Sequence, residues 1–354
     1  MAEVFLGSSP HIGTPVRTPL LMGHVLIALT PVSIWGVAIY GFKALLVILV
    51  SVVSAAAGEA LFRRIIGREN RSGDLSAPLT GLLLALVLPP STPLWMAALG
   101  AVFAVVAAKE FFGGLGANVF NPALSGRAFL LMSFPAAITT WTLPGGVLSG
   151  LSGASVADAG PDAGLEALTG ATPLGIIKMG GAVADVGREF TAFGLAPSPA
   201  YWQTIKTLFV GNHGGTIGET SVLLILAGCL YLLIARVIDW RAPVTMIASA
   251  FGLSLILYLV EPAAAPDPLF AVLSGGLLFG AVFMATDYTT APLTARGKLL
   301  FGAGAGIITV LIRRWGNYPE GTSYGILIMN AVTPFLNRLL QRKYGHGPSK
   351  KGAA

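Results

Sequence analysis

Long apolar runs alternate with short polar connections along most of this chain. A helix that crosses the hydrocarbon core of a bilayer needs about 20 predominantly apolar residues. Runs of roughly this length, together with two shorter runs bounded by proline, predict about ten membrane-spanning helices. The long runs are 21–40, 44–62, 94–109, 220–237, 243–260, 269–285, 298–312 and 323–340, and the short ones are 78–88 and 123–135.

Basic residues beside these runs predict the orientation of the chain. Cytoplasmic loops of membrane proteins carry an excess of lysine and arginine. With ten crossings, most of the basic residues fall on one side, so we expect both termini to be cytoplasmic in a bacterial inner membrane. Lys43, Arg313 and Arg314 are exceptions that fall on the outer side.

The predicted helices divide the chain into five regions. The connection between the fifth and sixth segments is rich in Gly, Ala, Ser and Pro, shows little periodicity, and is too long for a simple connector. The regions are an N-terminal arm (1–20), a first membrane repeat (21–135), an outer, periplasmic loop (136–219), a second membrane repeat (220–340) and a basic cytoplasmic tail (341–354).

The two membrane regions show similar breaks. LPPSTPL (88–94) and then NPALSGRAFL (121–130) interrupt the first, and TDYTTAPL (286–293) and then NAVTPFLNRL (330–339) interrupt the second. Inverted repeats with discontinuous helices are typical of transporters, although proline and glycine are also common in ordinary membrane helices. The predicted fold is an all-α integral membrane protein with about ten transmembrane helices in two inverted five-helix repeats with broken half-helices, plus one long outer loop.

Composition supports this class and excludes others. Hydrophobic residues make up 54% of the chain and charged residues 11%, whereas soluble domains carry about 25% charged residues. The net charge of +6 forms no basic patch interleaved with aromatics, so no nucleic-acid partner is expected. The single Cys229 and scattered histidines argue against a metal site. Without a phosphate loop or dinucleotide fingerprint, the chain is not expected to bind NADH or ATP itself.

The most specific motif is Thr169-Gly170-Ala171-Thr172 in the long outer loop. A threonine hydroxyl can form a phosphate ester, and the small Gly170 and Ala171 leave room for a modifying enzyme. An ordinary polar turn is the alternative, because such a match arises by chance in roughly a few per cent of chains of this length at average residue usage.

The string TGATPLG resembles the flavin attachment site of a family that comprises the D subunits of Rnf complexes and the B subunits of sodium-pumping NADH:quinone oxidoreductases. Glu166 stands where that family usually has Asp. The resemblance implies FMN joined to Thr172 through a phosphodiester by a flavin transferase, and it leaves open a second, non-covalent riboflavin. Other strings resemble the family in the same order: NVFNPALSGRAFLLMSFP (118–135), GGTIGETS (214–221), FMATDYTTAPLT (283–294) and YPEGTSYGILIMNAVTPFLNR (318–338).

The function implied by this resemblance is electron relay in an ion-translocating NADH:ferredoxin oxidoreductase. The chain would be a subunit of the translocase, without activity toward NADH alone, and its partners would be Rnf subunits A, B, C, E and G and the membrane lipid. Electron transfer would be coupled to movement of Na⁺ or H⁺. The short N-terminal arm favours an Rnf D subunit over the B subunit of the quinone-reducing relative. A solute channel or transporter without redox function is the other alternative.

Polar residues inside membrane segments are further candidates, because charges in lipid are costly and often functional. Arg127, after Asn121-Pro122, is placed to neutralise a flavin phosphate or reduced ring, or else it snorkels to the interface. The backbone around Gly218, Glu219 and Thr220 can approach a flavin, or Glu219 simply matches the dipole of the next helix.

Three other predictions concern charged groups. Asp287 either hydrogen-bonds a flavin, lies on an ion path or forms a turn. Glu59 and Arg63 are spaced for a structural ion pair within one helix. Lys109 and Glu110 are expected at the membrane interface.

Overall fold

A computed structural model describes residues 17–68, 72–142, 172–192, 200–262, 265–316, 318 and 320–339, which are predominantly helical. The first half contains helices α1 (Thr18–Tyr40), α2 (Phe42–Ile66), α3 (Ser76–Leu86), α4 (Leu94–Val106), α5 (Pro122–Ser133) and α6 (Pro135–Ile138). The outer loop contributes α7 (Pro173–Lys178), α8 (Val183–Ala192) and α9 (Tyr201–Val210). The second half contains α10 (Val222–Ile234), α11 (Arg241–Val260), α12 (Pro268–Leu273), α13 (Leu277–Phe279), a π-helix (Gly280–Met284), α14 (Ala295–Trp315) and α15 (Thr322–Leu339).

Several of these helices have the length and apolar composition of membrane spans, so the chain is a multi-pass membrane protein. The predicted all-α membrane class is confirmed, while the total of ten crossings stays a prediction. The long apolar helices of the described residues are Thr18–Tyr40, Phe42–Ile66, Leu94–Phe112, Arg241–Val260 and Ala295–Trp315, and Ser76–Leu86 and Val222–Ile234 are shorter apolar helices.

The two halves repeat one packing arrangement in opposite directions. In the first half α2 packs against α3 and α4, and α5 packs against α4; in the second, α11 packs against the broken α12–α13 and against α14, and α15 packs against α14. Helix α2 begins at the end of the bundle that carries the outer loop, because the Tyr40 hydroxyl donates to the His213 carbonyl at 3.0 Å. Helix α11 ends there, since Arg314, beside Lys178, pairs with Glu261. Helices α1 and α10 join the halves. We call this the loop end of the bundle.

The second half has the predicted break and a further one. The π-helix ends at Met284, just before TDYTTAPL, as predicted, and the chain also leaves the helix at Ser274–Gly276, where Gly275 has φ +68°. A left-handed φ favours glycine because a side chain there would be strained. The expected second break near residue 330 is wrong: Pro334 lies inside α15. The neighbouring Thr333 hydroxyl donates to the Met329 and Thr290 carbonyls, both at 3.0 Å.

The described part of the outer loop contains three helices. Helix α8 packs against α7 and α9, and α9 packs against α12. Together these helices form a small hydrophobic cluster separate from the membrane core. The little periodicity expected there is wrong for α8, whose apolar residues fall on one face. The cluster consists of Leu174, Val186, Phe190, Ile205, Leu208 and Phe270.

Glycines allow α11 and α14 to pack closely, and this yields a stability prediction. A methyl group at Gly306 would overlap Ser249 Oγ and the Met246 carbonyl, whereas one at Gly252 would meet nothing within 4 Å. We therefore expect Gly306→Ala to lower the free energy of unfolding by about 1–3 kcal/mol, as overpacking does. Gly252→Ala adds the same methyl group and should leave stability unchanged or raise it. Thermal unfolding in detergent compares them; equal midpoints would contradict the close packing.

Candidate functional site

Thr172 occupies the first position before α7, and its side chain is buried. Its Oγ1 accepts a hydrogen bond from the Gly175 N–H at 3.0 Å, which caps the helix, and Pro173 suits the first helical position. An ester oxygen at Oγ1 retains a lone pair for this bond, so modification is compatible with the cap. The remaining predicted motif residues, Thr169, Gly170 and Ala171, lie outside the described residues, as does Glu166.

A cleft lies beside the other end of α7. Its volume is about 130 Å³, and three cationic side chains line it: Lys178, Arg313 and Arg314. Leu174, Ile177, Leu257 and Val310 form its apolar walls. Lys178 follows Thr172 by six residues, or about 9 Å along a helix. Burial, together with the charge of Arg314, lowers the pKa of Lys178.

Arg313 connects this cleft to the broken helix. Its guanidinium donates to the Ala271 carbonyl at 2.5 Å and the Ser274 carbonyl at 3.2 Å. The last carbonyls of a helix lack partners within it, so Arg313 stabilises the end of α12. Arg313 and Arg314 were exceptions to the expected charge distribution, and the sequence assigned them no function. That exception was the signal that could have identified them.

Arg127 and Glu320 form a buried ion pair near the loop end. Arg127 Nη2 contacts Glu320 Oε2, and the side chains are 8% and 10% exposed. The snorkelling alternative for Arg127 is therefore wrong. Its partner in the described structure is a carboxylate that the sequence did not indicate, 193 residues away along the chain.

Glu219 lies in the same buried region. Its Oε1 accepts from the Thr216 N–H at 3.0 Å, and its Oε2 has no hydrogen-bond partner among the described residues. Burial and then the neighbouring Glu320 carboxylate raise the pKa of Glu219 to about 8, although Arg127 opposes this.

Gly218 and Thr220, the other candidates in this loop, are buried beside Glu219. The Gly218 N–H donates to the Leu86 carbonyl at 2.7 Å, and a side chain at this position would collide with Leu86. Gly218 therefore joins the loop to the end of α3 through a close backbone contact. The Thr220 hydroxyl oxygen has no partner among the described residues.

The break Ser274–Gly276 lies between α7 and Glu219. Leu174 of α7 occupies the space beside Gly275, and a side chain at Gly276 would meet Glu219 Oε2. A glycine pair thus lets the start of α7, the cleft and the carboxylate come close together. Thr172, Arg127, Glu219 and Thr220 consequently belong to one region of the molecule.

Asn121 and Asp287 lie in a different place, so the predicted site residues form two groups. Both line a cavity of about 70 Å³ between the two halves, together with Lys109, Asn118 and Thr289. Asn121 Oδ1 accepts from the Leu124 N–H at 3.2 Å and thereby caps α5. Asp287 accepts from the Thr289 hydroxyl at 3.1 Å, which is the contact expected of a turn-forming residue.

A buried charge cluster lies at the end of the bundle opposite the loop. Lys109 Nζ contacts Glu59 Oε1 at 3.0 Å, and Arg63 contacts Glu110 at 2.8 Å and Glu59 at 3.3 Å. The predicted Glu59–Arg63 pair is confirmed as a contact. Lys109 and Glu110, which were expected at the membrane interface, are both buried within the protein, and their depth in the membrane stays a prediction. These four side chains carry two positive and two negative charges, and Asp74 also interacts with Glu59 and Arg63.

Comparison with known proteins assigns the chain to a family. The model of the NQR2, RnfD, RnfE family matches residues 5–345, nearly the whole chain. The chain belongs to the NQR2, RnfD, RnfE family.

Members of the NQR2, RnfD, RnfE family with similar sequences extend over most of this chain. It is 40% identical over 336 residues to the D subunit of the proton-translocating ferredoxin:NAD(+) oxidoreductase complex of Clostridium ljungdahlii, covering 95% of this chain and 94% of that protein. It is 39% identical to the D subunit of the ion-translocating oxidoreductase complex of Stutzerimonas stutzeri, covering 94% and 93%. It is 37% identical to the D subunit of the Na(+)-translocating ferredoxin:NAD(+) oxidoreductase complex of Acetobacterium woodii, covering 98% and 97%.

Proposed function

We propose that this chain is the D subunit of an ion-translocating ferredoxin:NAD oxidoreductase complex and relays electrons through FMN bound covalently to Thr172. The relatives named as D subunits support the complex. The observation that carries the flavin is the position of Thr172, buried at the start of a helix whose other end lines a cationic cleft.

The residues around Thr172 fit a flavin. Thr172 offers the ester oxygen, and the cleft offers apolar walls for a ring together with Lys178, Arg313 and Arg314 for negative charge. FMN supplies the one-electron and two-electron chemistry when bound, whereas the protein supplies position and electrostatics. The three cations would stabilise negative charge on a reduced ring, and the apolar walls would exclude water from it, which would strengthen that stabilisation.

The cavity between the two halves is our candidate for a second, non-covalent flavin such as riboflavin. Asn121 and Asp287 line it with amide and carboxylate groups, and Leu79, Leu83 and Phe283 contribute apolar surface. Binding sites for organic cofactors combine apolar walls with a few polar groups in this way.

The proposed function also implies an orientation in the membrane and a set of partner subunits. The loop end would face the periplasm and both termini the cytoplasm, in a bacterial inner membrane. The partners would be Rnf subunits A, B, C, E and G, and a flavin transferase would modify Thr172. The relatives' names include both a proton-translocating and a Na(+)-translocating complex.

In-gel fluorescence tests the flavin. We would express the full chain with a flavin transferase, denature it and compare wild type with Thr172→Ala, Thr172→Ser and Thr191→Ala. We expect a fluorescent band for wild type and Thr191→Ala, a weaker band for Thr172→Ser, whose hydroxyl can still be esterified, and none for Thr172→Ala. A dark wild-type band beside a labelled control flavoprotein would refute the flavin and favour a solute transporter.

A further inference from the structure

We propose that Glu219 and Glu320 share one proton, which the pair takes up when the flavin at Thr172 is reduced and releases when the flavin is oxidised. This inference rests on the proposed function, because it requires a flavin near α7. It assigns the two carboxylates as positioning residues that act on the cofactor through charge.

The geometry of the pair leaves space for one proton. Glu320 contacts Arg127, whereas Glu219 Oε2 is buried with no hydrogen-bond partner among the described residues. A buried, unpartnered carboxylate oxygen is costly, and protonation removes much of that cost. When two carboxyl groups share a site, repulsion keeps one of them neutral.

The charged groups that face Glu219 come from several elements. They are Glu320 before α15, Arg127 on α5 and Arg313 on α14, with the Tyr40 hydroxyl on α1 and the neutral ring of buried His213 nearby. Burial and the Glu320 carboxylate raise the pKa of Glu219 to about 8. Because this value is close to physiological pH, a modest change in the local field alters how often the proton is bound.

Arg313 is the link between the cleft and the pair. Its guanidinium lines the cleft and also interacts with both Glu219 and Glu320. Negative charge in the cleft offsets part of the positive field of Arg313. The field of Arg313 then stabilises the ionised form of the two carboxyl groups less. The affinity of the pair for a proton consequently rises when an electron arrives.

The coupled step is balanced in charge. At a pH above the pKa of the pair in the oxidised protein and below its raised pKa after reduction, one electron from a carrier of the same complex enters the flavin, and one proton from solution bonds to a carboxylate oxygen of the pair. When the electron leaves to the next carrier, the O–H bond breaks and the proton returns to solution. The net charge of the region is the same before and after reduction.

Buried hydroxyl groups around the pair provide a polar path for the proton. Four hydroxyl oxygens near the pair are buried without a partner among the described residues: those of Thr216, Thr220, Ser274 and Thr322. Buried polar groups of this kind are commonly satisfied by ordered water.

A redox titration of the flavin tests the coupling. We would measure the midpoint potential of the first electron in the flavinylated chain within the complex, between pH 6 and 10, for wild type, Glu219→Gln and Glu189→Gln. The wild-type potential should fall as pH rises through the titration of the pair, in addition to the pH dependence of the ring itself. Glu219→Gln should lose that additional part. Glu189→Gln, which removes a carboxylate on α8 of the outer loop, should match wild type.

Two results would overturn the proposal. One is an identical pH dependence in wild type and Glu219→Gln, with equal flavin content and melting temperature. The other is a wild-type potential that follows Na⁺ concentration at constant pH, which would make the pair a cation site. If Glu219→Gln does not fold, Glu320→Gln replaces it in the same comparison.

Infrared spectroscopy separates failure of this inference from failure of the flavin. If no variant carries flavin, the proposed function fails, and the full chain is then examined between pH 7 and 10. Wild type should then show the band of a protonated carboxyl group, which disappears over this pH range, and Glu219→Gln should lack the band. This result would show that the pair holds a proton without coupling to a flavin. Absence of the band in wild type would reject the shared proton itself.

Discussion

Lys109→Met is expected to lower the free energy of unfolding by about 3–5 kcal/mol, the usual cost of breaking a buried ion pair. The Lys109 side chain is 1% exposed, and its Nζ contacts Glu59 Oε1 at 3.0 Å and the Ser76 hydroxyl. Without it, the remaining ion pair of Glu59 among the described residues is the longer contact with Arg63, at 3.3 Å. One net negative charge would then remain buried. Thermal unfolding of the purified chain in detergent measures the change.

Lys298→Met is the matched control for this experiment. Lys298 also contacts a carboxylate, Asp239 at 3.1 Å, but its side chain is 27% exposed. Partly exposed pairs contribute only about 0–1 kcal/mol, so this variant should melt close to wild type. The double variant Glu59→Gln/Lys109→Met should recover part of the loss, because the remaining Arg63–Glu110 pair is neutral. Equal melting temperatures for Lys109→Met and Lys298→Met would contradict the buried cluster.

Thr172→Ala is expected to reduce electron transfer through the complex to the level of a complex that lacks this subunit. Removing the hydroxyl removes the ester, so FMN dissociates and the relay loses a carrier. Thr172→Ser should keep part of the activity because its hydroxyl can accept the ester. The measurement is ferredoxin-dependent NAD reduction in membranes, with subunit content checked by immunoblot. Wild-type activity in Thr172→Ala would place the electron path elsewhere.

The long apolar runs made the membrane helices predictable. The run 323–340 corresponds to α15 at Thr322–Leu339, and the proline-bounded run 123–135 corresponds to α5 at Pro122–Ser133. Composition alone decides such segments, because lipid accepts only backbone whose hydrogen bonds are satisfied internally. Neighbouring elements have little influence on where these helices begin and end.

Features that depend on distant contacts were not predictable in this way. The break at Ser274–Gly276 interrupts a continuous apolar run, and Arg313, 39 residues further along the chain, stabilises it. Helix α8 lies in a glycine-rich loop, and its apolar face finds partners only when α9 and Phe270 pack against it. Short helices depend on such tertiary packing more than on propensity.

The candidate site was predictable in part. The motif indicated Thr172, and GGTIGETS indicated Glu219, because each lies in a recognisable local string. Neither string shows that Glu320 pairs with Arg127, or that Asn121 and Asp287 lie together in another cavity. These contacts depend on how the two halves pack against each other. The local sequence around each residue does not indicate which distant residues it will contact.

The central claim is that Thr172 carries FMN, and peptide mapping tests it most directly. The full chain, produced with its flavin transferase, would be digested, and the fragment containing Thr172 identified by its flavin absorption and sequenced by mass spectrometry. We predict a fragment with one FMN esterified to Thr172 and not to Thr169. The control is a second flavoprotein that the same transferase labels in the same cells. If that protein is labelled and the Thr172 fragment is unmodified, the account is contradicted.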